Sequence, residues 1–291
     1  MHRPRRRFSK LLYLFWLRRF SNLCIYRQSE TTFDPGTLKY NKQYFWKIIA
    51  RDIHNDTTEG PLWSFITEEP GPWQCGDQFY DPRNGEMYNT TLIGWQCWMA
   101  ENLNIGKMIN GNEEMTNNGI IEKYCYDNDT LNCDEFGGLY QWFEMMQYNA
   151  MSGTQGICPE GWHIPTDDEW KILEGTVDSQ YPVGDTIWNN KGWRGFDAGL
   201  NLKSKYGWRD NGNGTDLYDF KALPGGRRTE SGSFGSISNN AFFWTSSEYD
   251  SDAWGRYICY SSDKVFYWNI FKTSSKSVRC LKDFPEKGSE K

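Results

Sequence analysis

Histidine is scarce in this chain of 291 residues: His2, His54 and His163 are the three present. A serine or cysteine triad after residue 75 would have to use His163, and a zinc site finds neither enough histidines nor a single C-x-x-C. Long apolar runs are also missing. The stretch Leu11 to Leu17 stops at Arg18 and Arg19, too short to span a bilayer. Nor is there an excess of positive charge: 32 Lys and Arg against 38 Asp and Glu leave a net charge of -6, with no basic surface after residue 30. A nucleic-acid footprint, which needs concentrated cations, is excluded on that ground. The chain has no internal repeat and no low-complexity tract.

What is abundant is aromatic side chain and glycine. Fifteen Trp, a 17% aromatic content and 28 Gly accompany a mean hydropathy of -0.77. Such a composition describes a wet, loop-rich protein stabilised by large rings, with Trp- and Tyr-bearing strands joined by Gly/Asn/Asp loops. The length suits one large domain with a small companion, and the fold class expected is α+β with few helices and long loops.

The clearest local signal is Cys158-Pro-Glu-Gly-Trp-His-Ile-Pro-Thr-Asp-Asp-Glu-Trp170. Thr166 is a natural N-cap, Glu169 can reach back to its amide as a capping box, and Pro165 can staple against Trp170. Leu173 and Val177 continue the apolar stripe of a helix expected over about 166–177. A strand-to-helix corner is therefore expected here.

Read with Leu223-Pro-Gly-Gly-Arg227, Phe243-Trp-Thr-Ser-Ser-Glu248 and Ser277-Val-Arg-Cys-Leu-Lys-Asp283, this corner resembles the Fibrobacter succinogenes major paralogous domain. That family comprises secreted and surface proteins of Bacteroidetes and Fibrobacteres. Asp81-Pro-Arg-Asn-Gly-Glu-Met-Tyr88 and Gly94-Trp-Gln-Cys-Trp-Met-Ala-Glu-Asn-Leu103 match its opening, so the resemblance covers roughly 75–283. The family is similar in turn to the C-type-lectin and formylglycine-generating-enzyme folds. The resemblance implies such an architecture and no established activity; the late cysteine pair of the formylglycine-generating enzymes has no match here. Gly225, Gly226 and Arg227 are implied to serve the fold.

Seven of eight cysteines lie in this region. Candidate disulfides are Cys125 with Cys133 around a polar loop, Cys75 with Cys97 at the entry strands, and Cys158 with Cys280, although spacing alone does not fix connectivity. Cys259, in Tyr257-Ile-Cys-Tyr260, is expected to be a buried free thiol. Disulfides place the protein outside the cytoplasm, secreted or on the cell surface. A signal peptide is only partly formed: Arg3 to Arg7 are basic, but no small-residue cleavage site follows the apolar run. Residues 1–30 are expected to be poorly ordered, the mark of a misassigned or truncated start.

Residues 31–69 carry two strand patterns, Tyr44-Phe-Trp-Lys-Ile-Ile-Ala50 and Pro61-Leu-Trp-Ser-Phe-Ile-Thr67, separated by a polar turn. They resemble the closing strands of a fibronectin type III module whose front strands are missing, which would leave an exposed edge. A stiff linker over 70–74, the main domain over 75–283 and a disordered tail over 284–291 complete the expected organisation. Within the main domain strands are expected near 86–92, 95–99, 241–246, 254–260, 264–271 and 276–281, with a second helix over 137–148.

Candidate sites follow from loop composition. Asp210, Asn211, Asn213 and Asp216 supply alternating oxygens for calcium, without the regular spacing of an EF-hand; Asx and Gly turns are the competing explanation. Tyr124-Cys-Tyr-Asp-Asn-Asp-Thr130 is a weaker acidic loop. Trp188, Trp193, Trp208 and Trp254 lie in polar segments where a flat ring could stack on a sugar, against the alternative of packing beneath a loop. Asp167 with Glu169 could form an acid–base pair, but capping already accounts for Glu169, and His163 belongs to the corner. The function expected is a secreted or cell-surface, non-catalytic binding module for carbohydrate or another surface polymer, with a polysaccharide or a surface protein as partner. The alternatives are a structural adhesin or an enzyme of the formylglycine-generating-enzyme fold. A concave aromatic site, expected in the loops 178–240, separates the first from the second.

Overall fold

The computed structural model describes residues 8–16, 24–28, 35, 38–52, 54–68 and 72–283. The expected tail 284–291 and part of the expected linker lie outside these residues. The chain divides into two compact units, Met1–Trp73 and Gln74–Lys291.

In the first unit five strands form one antiparallel sheet. Gln43–Asp52 is central, with Phe8–Trp16 on one side and both Thr57–Glu59 and Trp63–Ile66 on the other; Cys24–Gln28 extends the sheet beyond Phe8–Trp16. Residues 1–30 were expected to lack organisation, yet they supply two of these strands. The run Phe8–Trp16 is rich in aromatic and large apolar residues, which favour a pleated backbone. Directly opposed Trp46 and Trp63 stack at 4.4 Å.

The second unit is predominantly β, with four short α-helices among its described residues and no closed barrel. One four-stranded sheet runs Trp162–His163, Leu281–Lys282, Gln96–Met99, Thr90–Ile93. The larger sheet has eight strands. Its order is Tyr140–Gln141, Ser275–Lys276, Gly225–Arg228, Asn240–Tyr249, Asp252–Cys259, Val265–Ile270, Gly192–Arg194, with Phe234–Ile237 also paired to Gly225–Arg228. The capped helix Asp167–Val177 packs against this sheet: its Trp170 meets Phe243 of Asn240–Tyr249 at 5.3 Å, in a core shared with Trp98, Trp188, Trp208 and Phe220. Both halves of the capping box are formed, Thr166 N–H to Glu169 Oε2 at 2.8 Å and Glu169 N–H to Thr166 Oγ1 at 3.2 Å.

A second core surrounds Trp142, Trp162, Trp244 and the Cys158–Cys280 disulfide. The indoles lock it to backbone, Trp142 donating to Thr245 O at 2.9 Å and Trp244 to Tyr140 O at 2.8 Å. Cys75–Cys97 and Cys125–Cys133 are the other two disulfides. Cys259 is a free thiol, but half-buried rather than buried, 3.3 Å from Ser261 Oγ.

The helix expected over 137–148 is not one helix. Helix Thr130–Phe136 ends at Gly137, whose φ of 79° is left-handed and whose missing Cβ would lie 2.6 Å from Asn102 Cβ. Tyr140–Gln141 then pairs with Ser275–Lys276 before a single turn, Trp142–Met145. An apolar periodicity was present, but the glycine pair interrupts the backbone that would have used it.

Candidate functional site

Alternation along the strands of the large sheet separates two chemistries. On Asp252–Cys259 and Val265–Ile270, Arg256 and Tyr267 point to the capped helix, while Tyr257, Phe266 and Trp268 point away from it.

The helix side holds a buried charge cluster. Arg256 donates to Glu174 Oε1 at 2.8 Å and to Asp167 Oδ1 at 2.6 Å, Arg194 pairs with Glu174, and Tyr267 O–H donates to Asp167 Oδ2 at 3.2 Å. The guanidinium carbons of Arg194 and Arg256 lie 3.9 and 4.4 Å from the Tyr267 ring centre. Burial opposes ionisation of Asp167, but the adjacent Arg256 and Lys171 outweigh it and hold its carboxyl below the usual range.

On the opposite side is a groove of about 310 Å³. Its apolar wall includes Phe242, Tyr257, Phe266, Trp268 and Ile270. Tyr257 and Phe266 stack at 4.4 Å, Trp193 packs edge-on to both at 5.3 and 5.0 Å, and Phe266 is 6.3 Å from Trp268. Trp193 and Trp268 are exposed at 42% and 47%, so the rings form one continuous, solvent-facing set. Gly255, opposite Trp268 in the ladder, keeps the floor low; a Cβ there would be 2.4 Å from Ile270 Cδ1.

Polar groups rim the groove. Asp252 and Asn269 line it, Asp252 accepting from Asn269 Nδ2 at 2.7 Å. Arg227 lies 5.2 Å from the Phe242 ring centre, and Glu230 and Ser274 complete the lining. Beneath them Lys276 is fully buried, its amine 2.9 Å from Ser274 Oγ and 5.4 Å from the Phe242 ring centre. Burial, reinforced by Arg227, pushes its pKa well below that of an ordinary lysine.

The four tryptophans suggested by the sequence have different fates. Trp193 flanks the groove, its ring packed edge-on against Tyr257 and Phe266 of the wall. Trp188 and Trp208 are buried at 1% and 5% exposure, their indoles donating to Pro182 O at 3.0 Å and Ser204 Oγ at 3.0 Å; they pack beneath loops and offer no face to a ligand. Trp254 is half-buried, 4.4 Å from both Tyr249 and Tyr267 and covered by the Lys191 amine at 4.8 Å. The loops 178–240 therefore build core and only the edge of the site, contrary to the expectation that they form it. Sequence reading missed Tyr257, Phe266 and Trp268. The signal was there in Phe266-x-Trp268-x-Ile270, large residues alternating on a strand face.

The four candidate calcium residues serve one loop in separate ways. Asp210 accepts from Arg209 Nε at 2.9 Å, Asn213 Oδ1 from the Trp208 amide at 3.2 Å, and Asp216 Oδ1 from the Lys221 amide at 2.7 Å. Asp210, Asn211 and Asp216 all adopt left-handed φ, the turn chemistry of short polar side chains. In the loop closed by Cys125 and Cys133, Asp127 and Asn128 do the same, and Asp129 caps the following helix through Leu131 N–H at 3.0 Å. Among the described residues no group of three or more His, Cys, Asp or Glu is gathered as metal ligands.

His163 bridges two carboxylates, Nε2 to Glu169 Oε1 at 3.0 Å and Nδ1 to Asp283 Oδ1 at 2.6 Å. Arg228, rather than its neighbour Arg227, is the arginine of that strand committed to the fold: it is buried, donating to Gly111 O at 2.7 Å and pairing with Glu114 at 2.8 Å.

Fold and site together define a disulfide-linked, mostly β domain bearing an open aromatic groove. The chain belongs to the Fibrobacter succinogenes major domain family, whose family model matches residues 92–282. Of the six sequence blocks, Asp81 to Tyr88 lies upstream of the match and the other five fall within it, the last except for Asp283. No curated protein and no solved structure matches the chain significantly.

Proposed function

We propose that this protein is a secreted or cell-surface, non-catalytic binding module that holds carbohydrate in the aromatic groove. The carrying observation is the row of packed rings Trp193, Phe266, Tyr257 and Trp268, exposed at Trp193 and Trp268, beside Asp252, Asn269 and Arg227. Flat rings supply apolar faces for sugar C–H groups, and the flanking polar groups supply partners for hydroxyls. Three disulfides fit an oxidising compartment, and no helix among the described residues is long and apolar enough to cross a membrane. The capped corner tied to the last strand by Cys158–Cys280 supports a C-type-lectin-like or formylglycine-generating-enzyme-like ancestry for the domain.

A glycan array probed with protein of verified fold, with calcium and with chelator, tests this reading. Binding to at least one class of glycan is expected. Because Asp210, Asn213 and Asp216 are engaged within their own loop, the chelator is expected to leave that binding unchanged. Absence of binding to every glycan would overturn the carbohydrate reading and favour a structural adhesin.

A further inference from the structure

The groove is unusual in its cations. In the second unit Arg83, Arg194, Arg209, Arg228, Arg256 and Arg279 each make side-chain hydrogen bonds to carboxylates, amides or carbonyls. Among the described residues Arg227 has neither a side-chain hydrogen bond nor an ion pair; its guanidinium faces the Phe242 ring at the groove wall. Lys276, directly below, is fully buried and also lacks a carboxylate, with Ser274 Oγ its hydrogen-bond partner. Ser274 and Phe242, the groups the Lys276 amine touches, themselves line the groove. Two acidic groups line the same space. Asp252 is engaged by Asn269, and Glu230 is exposed at the rim.

We infer that the groove selects acidic glycans, a sugar-borne carboxylate pairing with Arg227 in the field of Lys276. This inference rests on the carbohydrate reading and adds its charge. A guanidinium pre-positioned on a ring, with its N–H fork unused, matches a planar carboxylate in two hydrogen bonds. Burial and the neighbouring Arg227 disfavour charge on the Lys276 amine in the empty protein, while an anion brought above it favours that charge. Arg227 is thus the direct contact, and Lys276 lies beneath it as a positioning group.

The test compares oligogalacturonates with the same oligomers after methyl esterification, which keeps the sugar and removes the charge, alongside neutral cello- and xylo-oligosaccharides. Titration calorimetry on the folded full chain is expected to give at least tenfold tighter binding of the acid than of its ester. Arg227→Gln is expected to abolish that preference while leaving the circular dichroism spectrum unchanged. Lys276→Met is expected to weaken acid binding while the melting temperature holds or rises, a split that a purely structural lysine would not produce. Equal binding of acid, ester and neutral oligomers, or a preference unaffected by Arg227→Gln, would overturn the acidic selection and leave the carbohydrate reading standing. No binding of any of these oligomers, together with no binding on the glycan array, would overturn both.

Discussion

Arg256 and Glu174 form a fully buried ion pair, Nε to Oε1 at 2.8 Å, that fastens the strand Asp252–Cys259 to the capped helix. The next residue, Tyr257, emerges on the other face as groove wall, so the pair fixes the floor of the site from behind. Breaking one partner of such a pair leaves a buried charge uncompensated, at about 3–5 kcal/mol. Arg256→Met should therefore lower the unfolding free energy measured by urea denaturation by that amount, and Glu174→Gln should do nearly the same. Because Glu174 also pairs with Arg194, the double variant should cost less than the sum of the singles.

The His163 clasp predicts a pH-dependent increment of stability. Burial disfavours charge on the imidazole, but Glu169 and Asp283 outweigh it and raise its pKa above the ordinary 6.5. Its contribution is therefore complete below pH 6.5 and lost as pH rises through the raised value. Burial likewise opposes the Glu169 charge, while His163 and Thr166 hold its pKa below the ordinary 4.5, so that contribution is present above pH 4.5 and lost as pH falls. With Asp283 half exposed, the whole clasp is worth about 1 kcal/mol. Thermal melts of wild type and His163→Asn should differ most between pH 4.5 and 6.5 and converge at alkaline pH.

The disulfides should differ in worth by loop length. Cys158–Cys280 closes 122 residues inside a core, and Cys125–Cys133 closes eight. The chain-entropy relation gives about 5 kcal/mol for the first and about 2.5 kcal/mol for the second. Paired alanine substitutions should thus leave the Cys125/Cys133 variant folded with a melting temperature lowered by about 5–10 °C. The Cys158/Cys280 variant should fail to accumulate as folded protein at 37 °C.

The legible part of this protein was local. Thr166 and Glu169 are three residues apart and describe their own helix start, and strands over 240–270 announce themselves through runs of aromatic and β-branched residues. The buried cluster was not legible, because Asp167, Glu174, Arg194 and Arg256 meet across separations of up to 89 residues and each looks like ordinary surface charge in its own segment. Tryptophans in polar loops carry no periodicity to reveal their direction. Trp188 and Trp208 therefore read like Trp193, although their loops fold inward over Trp170 and Phe220. The first strand pair was obscured by Arg18 and Arg19, which looked like the end of a failed leader rather than the flank of Phe8–Trp16.

The most direct measurement is the binding of an array-selected glycan to four single variants, Trp193→Ala, Trp268→Ala, Trp188→Ala and Trp208→Ala, each with its stability measured in parallel. The exposed pair should lose at least tenfold in affinity while losing about 1 kcal/mol of stability, since each ring gives up part of its packing against Phe266. The buried pair should lose about 3–5 kcal/mol of stability, and whatever fraction remains folded should bind normally. Undiminished binding by both Trp193→Ala and Trp268→Ala would contradict the assignment of the groove as the ligand site.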